Sequence, residues 1–143
     1  MLLCALLIED SQTFRDGLIP ALHDMAAVEV IAVAETARDA VAALGALPDR
    51  WQLAVVDLVL REGSGLDVLR AMERRLAHQR VVVLTNYATP EMRERVQRLG
   101  ADVLFDKFTE MDAFFEWCTQ LHCTQGASGR SRAAAPPRIK PPG

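Results

Sequence analysis

Five residues hold most of the reactive chemistry in the first 123 positions, and each comes just after an apolar run. Glu9 and Asp10 follow Leu2–Ile8, Asp57 follows Leu53–Val56, Thr85 follows Val81–Leu84, and Lys107 comes two residues after Val103–Phe105. Three carboxylates gathered at one place repel each other, and a hard divalent cation relieves that repulsion. Mg²⁺ takes oxygen ligands in octahedral geometry, usually one or two carboxylates completed by water. Lys107 is the only lysine among residues 1–123, against eleven arginines there. A compact ammonium at that place suits a single phosphoryl oxygen. Taken singly, each residue has a plain alternative: a helix cap, a loop acid, a loop hydroxyl, a surface charge. The set is what points to a site.

For the set to meet, the apolar runs must be neighbouring strands that end at one edge. Five such runs recur: Leu2–Ile8, Val28–Val33, Leu53–Val56, Val81–Leu84 and Val103–Phe105. They are rich in Val, Leu and Ile with little alternation, as in parallel strands covered on both faces. Between them lie apolar stripes of helical period: Phe14, Leu18, Leu22 and Met25; Val41 and Leu44; Leu66, Leu69, Met72 and Leu76. Thr36 and Ser64, each with Asp three residues on, read as helix N-caps. Thr89-Pro90-Glu91 starts a fourth helix that Gly100 closes, and Thr109 is the expected cap of a fifth presenting Phe114, Phe115, Cys118 and Leu121. Pro20 falls inside the first helix and predicts a kink there. Strand and helix alternate five times. Right-handed crossovers make this a doubly wound α/β fold, whose ligands bind beyond the carboxyl ends of the strands.

Charge divides the chain in two. All 19 acidic residues lie at or before Glu116, while 124–143 holds Arg130, Arg132, Arg138 and Lys140 and no acid; residues 1–123 carry 12 basic side chains and a net charge of −7. The expected organisation is one domain over 1–123 and a flexible basic, Pro- and Ala-rich tail over 124–143. Three cysteines without a CxxC motif read as a reduced, cytoplasmic protein. Met1–Ile8 is too short for a membrane span and lacks the basic start of a signal peptide.

The stretches Leu7-Ile8-Glu9-Asp10-Ser11, Val55-Val56-Asp57-Leu58, Gly63-Ser64-Gly65-Leu66, Val83-Leu84-Thr85-Asn86 and Gly100-Ala101-Asp102…Lys107 together resemble the receiver domain of two-component response regulators, over essentially all of residues 1–123. The resemblance is to the single-domain, chemotaxis-type members. It implies a flavodoxin-like (βα)5 fold with a five-stranded parallel sheet in the order 2-1-3-4-5. It implies that Asp57 accepts a phosphoryl group from a histidine kinase or phosphotransfer protein. It further implies that Asp10 binds Mg²⁺ directly, Glu9 through water and Val59 through its backbone carbonyl, while Thr85 and Lys107 hold phosphoryl oxygens. Covalent catalysis through an aspartyl phosphate and phosphoryl transfer by positioning are both chemically sound. The protein would catalyse only its own phosphorylation and dephosphorylation.

Several positions depart from the family pattern. The aromatic usual three residues before the lysine is Leu104 here, and adjacent Phe105 points to the other sheet face and belongs to the core. Leu104, Tyr87 and Phe105 are the candidates for relaying a switch; Tyr87 is also placed to shield the phosphoryl group. Phe108 stands where a cis-proline is common, so the Lys107–Phe108 bond is expected to be trans. Asp106 is a candidate ion-pair partner for Lys107. The expected function is a stand-alone phosphorylation switch with no DNA-binding domain. Its output partner is unidentified, and it signals through protein contacts or a homodimer at the face of the fourth helix, fifth strand and fifth helix. The alternative is a receiver-fold scaffold that acts without phosphorylation. A Mg²⁺-dependent phosphohydrolase with a second acid two residues after the nucleophile is disfavoured, because Val59 stands there.

Overall fold

The computed structural model describes residues 2–131, with side chains described through 121. Five strands, β1 (Leu3–Ile8), β2 (Val28–Ala34), β3 (Leu53–Val56), β4 (Arg80–Thr85) and β5 (Val103–Asp106), alternate with α1 (Gln12–Ala26), α2 (Ala37–Ala46), α3 (Gly65–Ala71), α4 (Pro90–Arg98) and α5 (Met111–Ser131). All strand pairs are parallel, in the order β2-β1-β3-β4-β5. The chain reverses its direction of winding between β1 and β3. That is where an open α/β sheet leaves a crevice at its carboxyl edge.

The central strands are buried on both faces, as their unbroken Val and Leu content demands. One core layer joins Ile8, Val56 and Val83 to Ala40 of α2, Leu69 of α3, Met72 just past its end and Val96 of α4. The other joins Leu7, Val55 and Leu84 to Leu18, Leu22, Phe114, Cys118 and Leu121 of α1 and α5. Leu104 belongs to the first layer and Phe105 to the second, as strand alternation requires. Phe105 meets Phe114 and Trp117 edge-on, with ring centroids 6.0 and 6.4 Å apart.

Four helices start on side-chain caps: Ser11, Thr36, Ser64 and Thr89 accept the N–H groups of Phe14, Asp39, Leu66 and Met92. Each such bond satisfies one of the first-turn amides that the helix itself leaves unpaired. Gly100 follows α4 with φ of 101°, which its missing Cβ permits without strain. Among the described residues all peptide bonds are trans, including Lys107–Phe108.

Some sequence expectations differ from the structure. Met25 and Val41 are exposed, because the buried stripe of α1 runs Leu18, Leu22, Ala26 and the core position of α2 is the small Ala40. Leu76 is also exposed, since α3 stops at Ala71 and the stripe does not continue. Pro20 does lie inside α1, as expected, and the helix runs on to Ala26. Thr109 does not cap α5; its own N–H bonds Asp106 Oδ1, and the helix begins after Glu110, whose carbonyl accepts from Phe114. α5 continues to Ser131, so the expected tail boundary at 123/124 falls inside a helix, and residues 132–143 lie outside the described ones.

Candidate functional site

The sheet hydrogen bonding overshoots the strands by one residue at the carboxyl edge. Glu9 donates its N–H to the carbonyl of Ala34, Asp57 to that of Ile8 and Lys107 to that of Thr85, each 2.9 Å away. Each acceptor is the last or near-last residue of a neighbouring strand, so the sheet itself fixes these three backbones. Their side chains converge. Lys107 Nζ lies 2.7 Å from Glu9 Oε1 and 2.9 Å from Asp57 Oδ2. Carboxylate oxygens of Glu9, Asp10 and Asp57 lie within 4.8 Å of one another.

The first turn of α1 completes this cradle. Ser11 donates its N–H to Glu9 Oε2 at 3.0 Å while its hydroxyl caps the helix at Phe14. Arg15 donates to the Glu9 carbonyl at 2.8 Å and pairs with Glu35, which also binds Arg61. The Phe14 ring lies under Lys107, with Nζ 4.2 Å from its centroid. Asp57 Oδ1 accepts the N–H of Leu58 at 2.7 Å and, more loosely, that of Val59 at 3.4 Å.

These contacts set the protonation balance. Burial pushes the Glu9 carboxyl above the ordinary range, opposed by its hydrogen bond to Lys107 and reinforced by the charge of Asp57. Burial alone would lower the Lys107 pKa; hydrogen bonds to Glu9 and Asp57, with the charges behind them, outweigh it and leave the ammonium held above its usual value. Three carboxylates and one ammonium sum to a formal charge of −2, with Glu9 and Asp57 buried and Asp10 half-buried. All the donors facing that charge are hard oxygens, which fits a divalent cation such as Mg²⁺.

Thr85 is fully buried at the end of β4, and its hydroxyl accepts the N–H of Tyr87 at 3.2 Å. Val59 and Tyr87 are exposed, at 52% and 56%, as is Phe108 at 78%. Asp106 does not pair with Lys107; its Oδ1 closes the loop before α5 by accepting the N–H groups of Phe108 and Thr109. The sequence places Glu9, Asp10, Asp57, Thr85 and Lys107 at one edge; the structure brings the side chains of Glu9, Asp10, Asp57 and Lys107 together, while Thr85 joins Lys107 through its backbone carbonyl and its hydroxyl meets the Tyr87 N–H. It missed Phe14 and Arg15. Phe14 reads as one residue of a helix stripe, and nothing in the sequence marks Arg15.

The receiver domain profile of response regulators matches residues 5–117. The chain belongs to the response regulator receiver family. This receiver is 32% identical over 96 residues to the acid tolerance regulatory protein ActR of Rhizobium meliloti, an alignment covering 67% of this chain and 47% of ActR. It matches the photosynthetic apparatus regulatory protein RegA of Cereibacter sphaeroides equally well, over 67% of this chain and 50% of that one. The chain thus spans about half the length of these curated relatives. Among solved structures it resembles the signal receiver domain of a DNA-binding response regulator from Colwellia psychrerythraea, at a TM-score of 0.73 and 22% identity, covering 84% of this chain and 98% of that one. That likeness carries the fold: five parallel strands and five helices in the same order. No helix among the described residues is long and apolar enough to cross a membrane.

Proposed function

We propose that this receiver is a cytoplasmic phosphorylation switch that takes a phosphoryl group onto Asp57 from a histidine kinase or phosphotransfer protein. The observation that carries the reading is the Lys107 ammonium clamped between Glu9 and Asp57 beside a cluster of three carboxylates. A carboxylate oxygen of Asp57 attacks phosphorus and forms the new O–P bond. The P–N bond of the donor phosphohistidine breaks, and its electron pair returns to the imidazole, which takes up a proton. Transfer replaces one negative charge on Asp57 with about two on the phosphoryl group. Lys107 is positioned to follow that charge, exchanging a carboxylate oxygen for a phosphoryl oxygen, and the Thr85 hydroxyl, whose oxygen accepts the Tyr87 N–H, to donate its own hydrogen to another. Asp10, Asp57 and the Val59 carbonyl would hold Mg²⁺, with Glu9 acting through water; the ion supplies the positive charge that offsets the incoming phosphoryl oxygens.

The output is an altered protein contact at the face of α4, β5 and α5, with either a partner protein or a second copy. Arg93 of α4 links the parts of this face, donating to the Leu104 carbonyl at 3.2 Å and pairing with Glu110 at 2.9 Å. Leu104, buried against Val83 and Val96, is the residue whose movement after Thr85 would reach that link. Phe105 is tied into the opposite layer by Phe114 and Trp117, and Tyr87 lies exposed beside Thr85.

Incubation with acetyl phosphate and Mg²⁺ tests the reading. Intact-mass spectrometry is expected to show one phosphoryl addition that Asp57→Asn abolishes and chelation of Mg²⁺ prevents. An unmodified wild-type mass would favour the scaffold reading.

A further inference from the structure

The contact that the phosphoryl-transfer reading leaves unused is the aromatic ring beneath its lysine. Lys107 Nζ has two charged partners, Glu9 Oε1 and Asp57 Oδ2, and a third neighbour in the face of Phe14, 4.2 Å from the ring centroid. A cation is attracted to the electron-rich face of an aromatic ring, and more strongly where water is excluded. The Lys107 side chain is only 10% exposed. Phe14 is itself fixed by the cap: its N–H bonds the Ser11 hydroxyl, and the Ser11 N–H bonds Glu9. One helical turn therefore holds both the ring and one of the carboxylates that bracket the ammonium.

We propose that Phe14 is a positioning residue for phosphoryl transfer, holding the Lys107 ammonium at the site while leaving it free to move from the carboxylates to the incoming phosphoryl oxygen. The inference rests on the reading of Asp57 as phosphoacceptor. A carboxylate in place of the ring would bind the ammonium at one point and compete with the phosphoryl group for it. The ring face attracts without fixing a donor–acceptor line, so Nζ can slide over it while its hydrogen bonds exchange. It also carries no charge, so it adds nothing to the repulsion that the transferring phosphoryl group meets from Glu9 and Asp10. The first-turn position matters here. Phe14 lies one turn after the Glu9-Asp10 pair, where a helical side chain points back toward the start of its helix and so toward the site.

The test compares rates of phosphoryl addition from acetyl phosphate at saturating Mg²⁺, followed by intact mass. The forms compared are wild type, Phe14→Leu, Phe14→Tyr and protein carrying pentafluorophenylalanine at position 14. The fluorinated ring keeps the shape of Phe14 while reversing its quadrupole, so it tests the electrostatic role even if the leucine variant folds poorly. Phe14→Leu and the fluorinated protein are expected to slow by about five-fold or more, and Phe14→Tyr to stay within about two-fold of wild type. In the absence of any phosphodonor, the Lys107 ε-methylene protons should be shifted upfield by the ring in wild type and return to ordinary positions in Phe14→Leu. A wild-type rate in the fluorinated protein overturns the proposal and leaves Phe14 as packing, while the phosphoacceptor reading stands. Absence of any phosphoryl addition to wild type overturns both.

Discussion

Glycine to alanine at position 65 sets two physical effects against each other, and the structure says which wins. Gly65 is the first residue of α3, where loss of glycine's backbone freedom alone would stabilise the helix by roughly 0.5–1 kcal/mol. A Cβ at that position would lie 2.2 Å from the carbonyl oxygen of Asp57, 2.8 Å from Leu58 Cα and 2.9 Å from the Asp57 carbonyl carbon. Heavy atoms pack best at about 3.5–4.0 Å, so α3 and the Asp57–Leu58 backbone would have to separate by about 1 Å. Neither side yields easily. Asp57 donates its N–H to Ile8 and Gly65 donates its own to the Leu58 carbonyl, both at 2.9 Å. Overpacking against rigid atoms costs up to about 3 kcal/mol, so the net loss is about 2 kcal/mol after the gain from helix propensity. At roughly 4 °C per kcal/mol for a domain of this size, the melting temperature should fall by about 8 °C. The same shift displaces Asp57 from Lys107, so phosphoryl uptake from acetyl phosphate should fall with it. The control is Gly17, exposed in α1, where an added Cβ meets nothing within 4 Å. Gly17→Ala should gain up to about 1 kcal/mol and melt higher. Thermal unfolding followed by circular dichroism reads both. A Gly65→Ala protein that melts at or above wild type would refute the steric argument.

Four further outcomes follow from the same geometry. Saturating Mg²⁺ should raise the melting temperature, with about 2.7 kcal/mol of stabilisation at a hundred times its Kd, and Asp10→Asn should remove most of that gain in a calorimetric melt. Because burial raises the Glu9 pKa, the stability tied to its protonation is fully present below the ordinary Glu value and is lost as pH rises through the higher folded value. Metal-free wild type should therefore lose more stability than Glu9→Gln from about pH 4 upward, and coincident urea-midpoint profiles would contradict this. Burial pushes the Cys118 thiol up to about 12, so it should resist alkylation at pH 8 in the native protein and react quickly in denaturant. Leu104→Ala removes a buried side chain between β5 and α4 and should cost about 2–5 kcal/mol in denaturant unfolding.

The candidate site was largely legible because its donors are tied to strand ends. An unbroken run of Val and Leu followed by Asp or Glu marks both a buried strand and its exit toward the crevice. Strand ends thus assign Glu9, Asp10, Asp57 and Lys107 to one edge from covalent order alone. The helix stripes were less legible. Met25 and Val41 match the apolar pattern and are nonetheless exposed, because the small Ala26 and Ala40 hold the buried positions beside them. The sequence offers adjacent Asp106 as the ion-pair partner of Lys107, but the structure gives it Glu9 and Asp57. Asp106, at the end of β5, is instead taken up by the loop amides of Phe108 and Thr109.

By itself the sequence determined which chemistry was on offer and on which edge: oxygen donors for a hard cation, one lysine, one buried-strand threonine and the alternation that assigns Leu104 and Phe105 to opposite faces. These follow from covalent order, since strand period and strand ends are local properties. The tertiary structure decided which groups actually touch. The Lys107 clamp spans 98 residues to Glu9 and 50 to Asp57, and the Phe14 ring, the Arg93 link and the tight passage of Gly65 past Asp57 come from packing between distant segments. Such contacts depend on how closely helices settle on the sheet, and spacing along the chain does not encode that distance.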